Sequence, residues 1–403
     1  MITVEYQCAD GTPFPVRFAS ADDAAAMWRT DREHARDPRT PLGEALERLG
    51  VPGSERAYAE AGMPMPPTWR PGPDANGFAY YSPAPMPAED REQMARATRA
   101  LIEEHGSSEA IWRRFCLPRV VDAVDRLNRA GDGEPFAALA EAQAYGQQMT
   151  MIAAIANSND LDLLDGACRE VCGDDARMVA YELAQGHPNS TLRADEELWR
   201  LGRRLRSSPE LVAALAAGDP AREMDRLRGE GHAGDFFAAL DAFLGEFGQR
   251  AEVWDIGAPT WNDRRAGFWH QLRAVSADGV ASPEEARAAA AQRRDVLAAD
   301  VASRFTDPEA RARFDRRRAR IATYVDVRED RAHWQLVLVG SLRDAVLRRG
   351  ARLVGRRLLA DREDVLFVTP EEIAAGGPLR ALVAERRAAH AGWMRRVPPL
   401  TIG

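Results

Sequence analysis

Four times in the second half of this chain a capping side chain, a proline and at least one carboxylate follow one another. The sites are Ser208-Pro209-Glu210, Ser282-Pro283-Glu284-Glu285, Asp307-Pro308-Glu309 and Thr369-Pro370-Glu371-Glu372. A side-chain oxygen before proline, with acid in the following turn, meets the free amides and the positive dipole end of a helix start. Ser282/Glu285 and Thr369/Glu372 also have the spacing of a capping box. Between the last two starts, 321–359 reads as a long helix or a broken pair. Leu336, Val339, Leu342, Val346 and Leu353 form its buried face.

The first hundred residues read differently. Short extended pieces at 2–6, 15–18 and 78–81 alternate with turn-rich stretches such as 62–73, which holds five prolines. Helical composition takes over after Pro87-Ala88-Glu89-Asp90. The expected fold is mainly α (α+β): an irregular, partly β portion over 1–98 packed on a large helical body over 99–403. A short extended run is expected at 364–368. With 403 residues and 45% apolar content, a large core is within reach.

The chain has no lysine, so all 54 of its basic residues are arginine. That excludes Schiff-base chemistry, pyridoxal phosphate anchoring and a P-loop lysine. The net charge of −8 argues against nucleic acid and anionic membranes as partners. No apolar run approaches the roughly 20 residues that span a bilayer, and no secretory leader is visible, so a cytoplasmic location is expected. Cys168 and Cys172 stand four apart, with no further ligand pattern beside them. Neither a metal nor a cofactor is expected.

Arg328-Glu329-Asp330-Arg331-Ala332-His333-Trp334 is the densest cluster of chemistry-bearing side chains. On a helix Arg328 and Arg331 share a face with Tyr324, and Glu329 stands four before His333. Paired guanidiniums suit a phosphate or carboxylate, and a carboxylate-braced histidine suits proton transfer. The expected catalytic residues are Glu329, His333 and Arg328, with Arg331 and Tyr324 binding substrate. The apolar-rich segment 247–256 adds Arg250, Glu252 and Asp255, charges that need partners if buried. His187 and Asn189, at a Gly/Pro-punctuated junction, complete the expected substrate contacts, with Asn189 or Ser190 equally a helix cap. Trp28-Arg29-Thr30-Asp31-Arg32-Glu33-His34 is a further aromatic and charged cluster.

Taken in order, several pieces resemble the phosphoenolpyruvate-utilising, dikinase-like phosphotransferases of the rifampicin phosphotransferase type. They are Trp28-Arg29, Asp31 and His34 with Thr40-Pro41-Leu42, then Gly77-Phe78-Ala79-Tyr80, Gln185-Gly186 and Asn189. Phe247-Gly248, Arg250, Glu252 and Asp255 follow, then Arg328-Glu329, Gly355-Arg356-Arg357-Leu358, Glu363 to Thr369, and Pro398-Pro399-Leu400-Thr401-Ile402-Gly403. The resemblance is to the central substrate-binding domain. It implies separate ATP-binding and histidine-domain proteins as partners, and a phosphoryl-handling role for Arg328 and Glu329. Ala332 stands where a lysine follows that pair in the family, which points away from direct histidine-to-hydroxyl transfer. The reading is an enzyme of specialised metabolism that takes a small polar or phosphorylated metabolite through an acid/base elimination. A substrate-binding subunit of a split phosphotransferase, or a non-catalytic binding protein, are the alternatives.

Overall fold

The computed structural model describes residues 1–131, 133–157, 159–251, 253–263 and 265–403. It is 67% helix and 6% strand, the mainly α architecture expected. Strands β1 (Ile2–Gln7) and β2 (Pro13–Phe18) pair antiparallel, from Ile2 opposite Phe18 to Gln7 opposite Pro13. Their alternation buries Phe14, Val16 and Phe18 completely. Strand β3 (Trp28–Thr30) lies between β4 (Tyr80–Tyr81) and β5 (Thr401–Ile402), antiparallel to both. The C-terminal tail is thus stitched into the N-terminal portion.

That portion is less irregular than its composition suggested. Helix α1 (Pro41–Leu49) starts on Thr40, whose hydroxyl accepts from the Gly43 amide, and α2 (Val51–Glu60) follows directly. Thr40-Pro41 carries the same start signal as the C-terminal half, hidden here among neighbouring prolines and turns. Helix Ala88–His105 starts at the expected place and runs across the expected boundary at 98.

The body is built on two long helices, α3 (Phe136–Asn157) and, beyond α4 (Ser190–Arg206), α5 (Pro308–Gly355). Helix α5 is continuous for 48 residues, about 70 Å at 1.5 Å per residue. Val339, Leu342, Val346 and Leu353 are buried as expected while Leu336 is only half-buried, and Leu338, Gly340 and Leu347 are buried too, so the middle of α5 is enclosed on most sides. The main core gathers α1, α2, α3 and α5. A second apolar cluster joins α4 to helices Pro209–Ala216 and Gly234–Phe247.

Ser208, Asp307 and Thr369 cap their helices through side-chain oxygens, and Thr369 with Glu372 closes a capping box. Ser282 makes no side-chain cap bond, so its expected box does not form. The expected strand at 364–368 is also corrected. Arg362–Phe367 is a 3-10 helix, because Asp361 and Asp364 cap each other's backbone and curl the chain before its apolar residues can extend.

Residues 248–263, apart from 252, run against α5, where a side chain at Gly340 would meet the Gln249 carbonyl oxygen. Arg343, 1% exposed, clamps this segment: it donates to Asp263 at 2.6 Å, to the Ile256 carbonyl at 2.6 Å and to Glu363 at 2.8 Å. A buried guanidinium is tolerated when every face of it is paired in this way.

Candidate functional site

The chain leaves β3 at Asp31, whose amide donates to the Ala79 carbonyl at 2.9 Å. Its Oδ1 accepts from the amides of Glu33 (3.1 Å) and His34 (3.0 Å), forming a tight Asx turn. The turn brings the His34 imidazole back onto the same carboxylate, with Nδ1 3.2 Å from Oδ2 and 3.3 Å from Oδ1. The other partner of His34 comes from the clamped segment. The Trp254 indole stacks on the imidazole at 4.0 Å between centroids and 23° between planes, and the Trp254 amide donates to the His34 carbonyl.

These residues wall a cleft of about 190 Å³ between the N-terminal portion and the helical body. Arg39 and Glu47, paired with each other, line one side, with Trp69 and Tyr81 nearby. Asp255 follows Trp254 into the lining, and Val339 and Leu342 of α5 form the apolar back. Helix α3 contributes Gln147 and Gln148. Both amide atoms of Gln147 and Oε1 of Gln148 are buried without a hydrogen-bond partner among the described residues. Such atoms cost about 1–3 kcal/mol each and mark a place where a ligand's polar groups would be welcome.

Two groups in the cleft hold their protons more tightly than usual. The hydrogen bond to Asp31 raises the His34 pKa, against the effect of burial, and the Asp31 and Glu33 charges add to it. Burial would push the Asp31 carboxyl up, but its bonds from the His34 ring and amide outweigh that and hold it below the usual range. Asp255 is raised, chiefly by burial; the Gly257 amide, at 2.9 Å, and the charges of Arg39 and His390 oppose this only in part. An imidazolium supplied with a counter-charge and a basic carboxylate therefore share one cavity.

The residues expected from the α5 cluster fall elsewhere. Arg328, Arg331 and Tyr324 share a face of α5 at helical spacing, but none of them lines the cleft. Burial lowers the Arg331 pKa, and the Arg328 charge lowers it further. Arg331 forms no ion pair among the described residues. The expected pairing of Glu329 with His333 does not form: Glu329 accepts from the Thr191 hydroxyl at 2.8 Å and lies beside Arg328. His333 is 7% exposed and packs edge-on against Phe247, with Nδ1 unpartnered among the described residues. Burial first, then the charges of Arg250 and Arg193, bring its pKa down to about 4, so it is neutral at physiological pH. Arg250 also faces Asp195. Glu252 lies outside the described residues. His187 and Asn189 line a separate basin beside the start of α4, where Asn189 accepts from the Leu192 amide as its cap.

The matching family is described as the rifampicin phosphotransferase fourth domain. Residues 147–329 match it. The stretch related to the rifampicin phosphotransferase fourth domain begins at Gln147 in the cleft wall, includes Asp255 and ends at Glu329. Asp31 and His34 lie upstream of it. The chain is also 27% identical to chondramide synthase of Chondromyces crocatus, over an alignment covering 91% of this chain and 10% of that protein. It therefore spans about a tenth of the length of this relative.

Among the described residues no group of His, Cys, Asp or Glu is arranged to hold a metal ion, and no helix is long and apolar enough to cross a membrane. The cleft residues with the weakest sequence signal are Arg39, Trp69 and Tyr81. Gln147-Gln148 had one: two adjacent amides in the largely apolar stretch of α3.

Proposed function

We propose that the cleft binds a small polar metabolite, phosphorylated ones included, and carries out an acid/base elimination. The observation that carries this reading is the Asp31–His34 dyad stacked on Trp254, beside Asp255 and the amide atoms of Gln147 and Oε1 of Gln148, which have no hydrogen-bond partner among the described residues. Elimination needs a base to take a proton from carbon and an acid to protonate the departing oxygen. Asp255 takes the C–H proton, the C–O bond breaks as the double bond forms, and protonated His34 gives its proton to the leaving oxygen. Gln147 and Gln148 fix the substrate's polar groups, and Trp69 and Trp254 cover its apolar surface. The similarity to chondramide synthase supports a role for such a reaction in specialised metabolism.

A second reading draws on Arg331, a desolvated guanidinium beside Arg328, and on the phosphotransferase-like family match. In it, a partner's phosphohistidine, charged by the ATP-binding partner, passes its phosphoryl group to a hydroxyl of the bound substrate, with Arg328 and Arg331 holding the group and Glu329 taking the hydroxyl proton. The two readings are distinguished by incubating the protein, without nucleotide, with fractionated polar and phosphorylated metabolites. The cleft reading expects a metabolite to lose 18 mass units as water, in wild type but not in His34→Gln. Turnover that needs ATP and a second protein, and that fails in Arg331→Gln but not His34→Gln, supports the phosphotransferase reading instead.

A further inference from the structure

The basin beside α4 is chemically unlike the cleft and lies on the other side of the α5 helix surface. Its volume is about 590 Å³. At its floor is the N-terminus of α4, where Asn189 uses its side chain on Leu192 and leaves the first two amides, of Ser190 and Thr191, without intrahelical acceptors. Ser190 lines the basin and is 8% exposed, and its hydroxyl has no hydrogen-bond partner among the described residues. A buried, unpartnered hydroxyl beside two free amides at the positive end of a 17-residue helix is a receptor for a compact anion.

The opposite wall has the other sign. Asp326 and Asp330, one turn apart on α5, both face the basin. Arg113 meets Asp326 at 2.6 Å but also pairs with Glu109 at 3.0 Å, and Asp330 accepts from the Trp112 indole at 2.8 Å with no ion pair of its own among the described residues. Glu196 is already matched by Arg287 at 2.8 Å. The basin thus has an anion-receiving floor and an anionic wall with charge to spare.

We propose that this basin binds a small zwitterion of the α-amino acid class, with its carboxylate on the Ser190–Thr191 helix terminus and its ammonium facing Asp326 and Asp330. A simple phosphate or carboxylate would satisfy the floor but be repelled by the wall. A simple amine would satisfy only the wall.

The test is titration of the whole protein with L-serine, acetate, inorganic phosphate and methylammonium, read by calorimetry or ligand-observed NMR. Ser190→Pro removes the hydroxyl and one free amide, at the first helical position, where proline is favoured; Asn189 before it is already extended. Ser190→Ala is the milder variant should the proline perturb folding, and Asp326→Asn tests the wall. L-Serine is expected to bind more tightly than the three single-charge probes, and to weaken about tenfold or more in Ser190→Pro and in Asp326→Asn. The proposal is overturned if L-serine shows no binding at about 10 mM. It is equally overturned if phosphate or acetate binds as well as L-serine, or if neither position affects L-serine.

Discussion

The imidazole of His34 and the indole of Trp254 lie 4.0 Å apart and 23° from parallel, although 220 positions separate them in sequence. The stack joins the N-terminal portion to the segment that Arg343 clamps on α5, so the cleft exists only when all three are in place.

Arg343 sets the position of Trp254 and Asp255. Removing it takes the buried guanidinium away from both Asp263, which keeps Arg362 at 3.3 Å, and Glu363, and breaking a buried pair from one side costs about 3–5 kcal/mol. Arg343→Met is expected to lower stability by about that much in urea denaturation. Lysine is no substitute for a fork that reaches three acceptors, so Arg343→Lys should recover only part of the loss.

Asp31 raises the pKa of His34, and Asp31→Asn should return it towards the ordinary histidine value. The sign follows from linkage. A histidine whose folded pKa is raised adds stability that is fully present below its unfolded pKa and is lost as pH rises through the folded value. NMR titration of the His34 ring protons, with thermal denaturation between pH 5 and about 8, should show the wild-type excess of stability at the acidic end disappear in Asp31→Asn.

Glu44, in the first turn of α1, has its pKa pushed up to about 7 by burial first and by the charges of Asp74 and Glu47, which Arg48 and Arg39 offset only in part. Between its unfolded value of 4.5 and about 7 the folded protein binds more protons than the unfolded one, so stability falls as pH rises through that window. Relative to wild type, Glu44→Gln should be more stable at pH 8 than at pH 4, the difference being on the order of 3 kcal/mol.

His333 works in the opposite direction. Its folded pKa of about 4 lies below the unfolded 6.5, so its contribution is present above 6.5 and is lost as pH falls towards 4. His333→Leu keeps an apolar contact with Phe247 and should flatten that part of the acid limb. Denaturation midpoints taken across this window for both proteins provide the check.

Much of the helical body was legible in the sequence, because capping and 3.6-residue periodicity are local. Ser208, Asp307 and Thr369 cap as their spacing suggested. The cleft was legible only in pieces. Asp255 and the Asp31–His34 cluster were visible singly, but nothing local says that a loop at 254 stacks on a turn at 34. The dense charges of α5 drew attention to Glu329 and His333, yet helical spacing makes pairing available without enforcing it. Thr191 and Phe247, from other elements, took those side chains instead.

The most direct measurement is single-turnover kinetics on the metabolite that the wild-type protein converts, compared in His34→Gln and Arg331→Gln. The cleft account predicts that His34→Gln loses about 100- to 10,000-fold in rate with binding largely kept, while Arg331→Gln keeps its rate. Undiminished turnover in His34→Gln, with the loss appearing in Arg331→Gln, would contradict it.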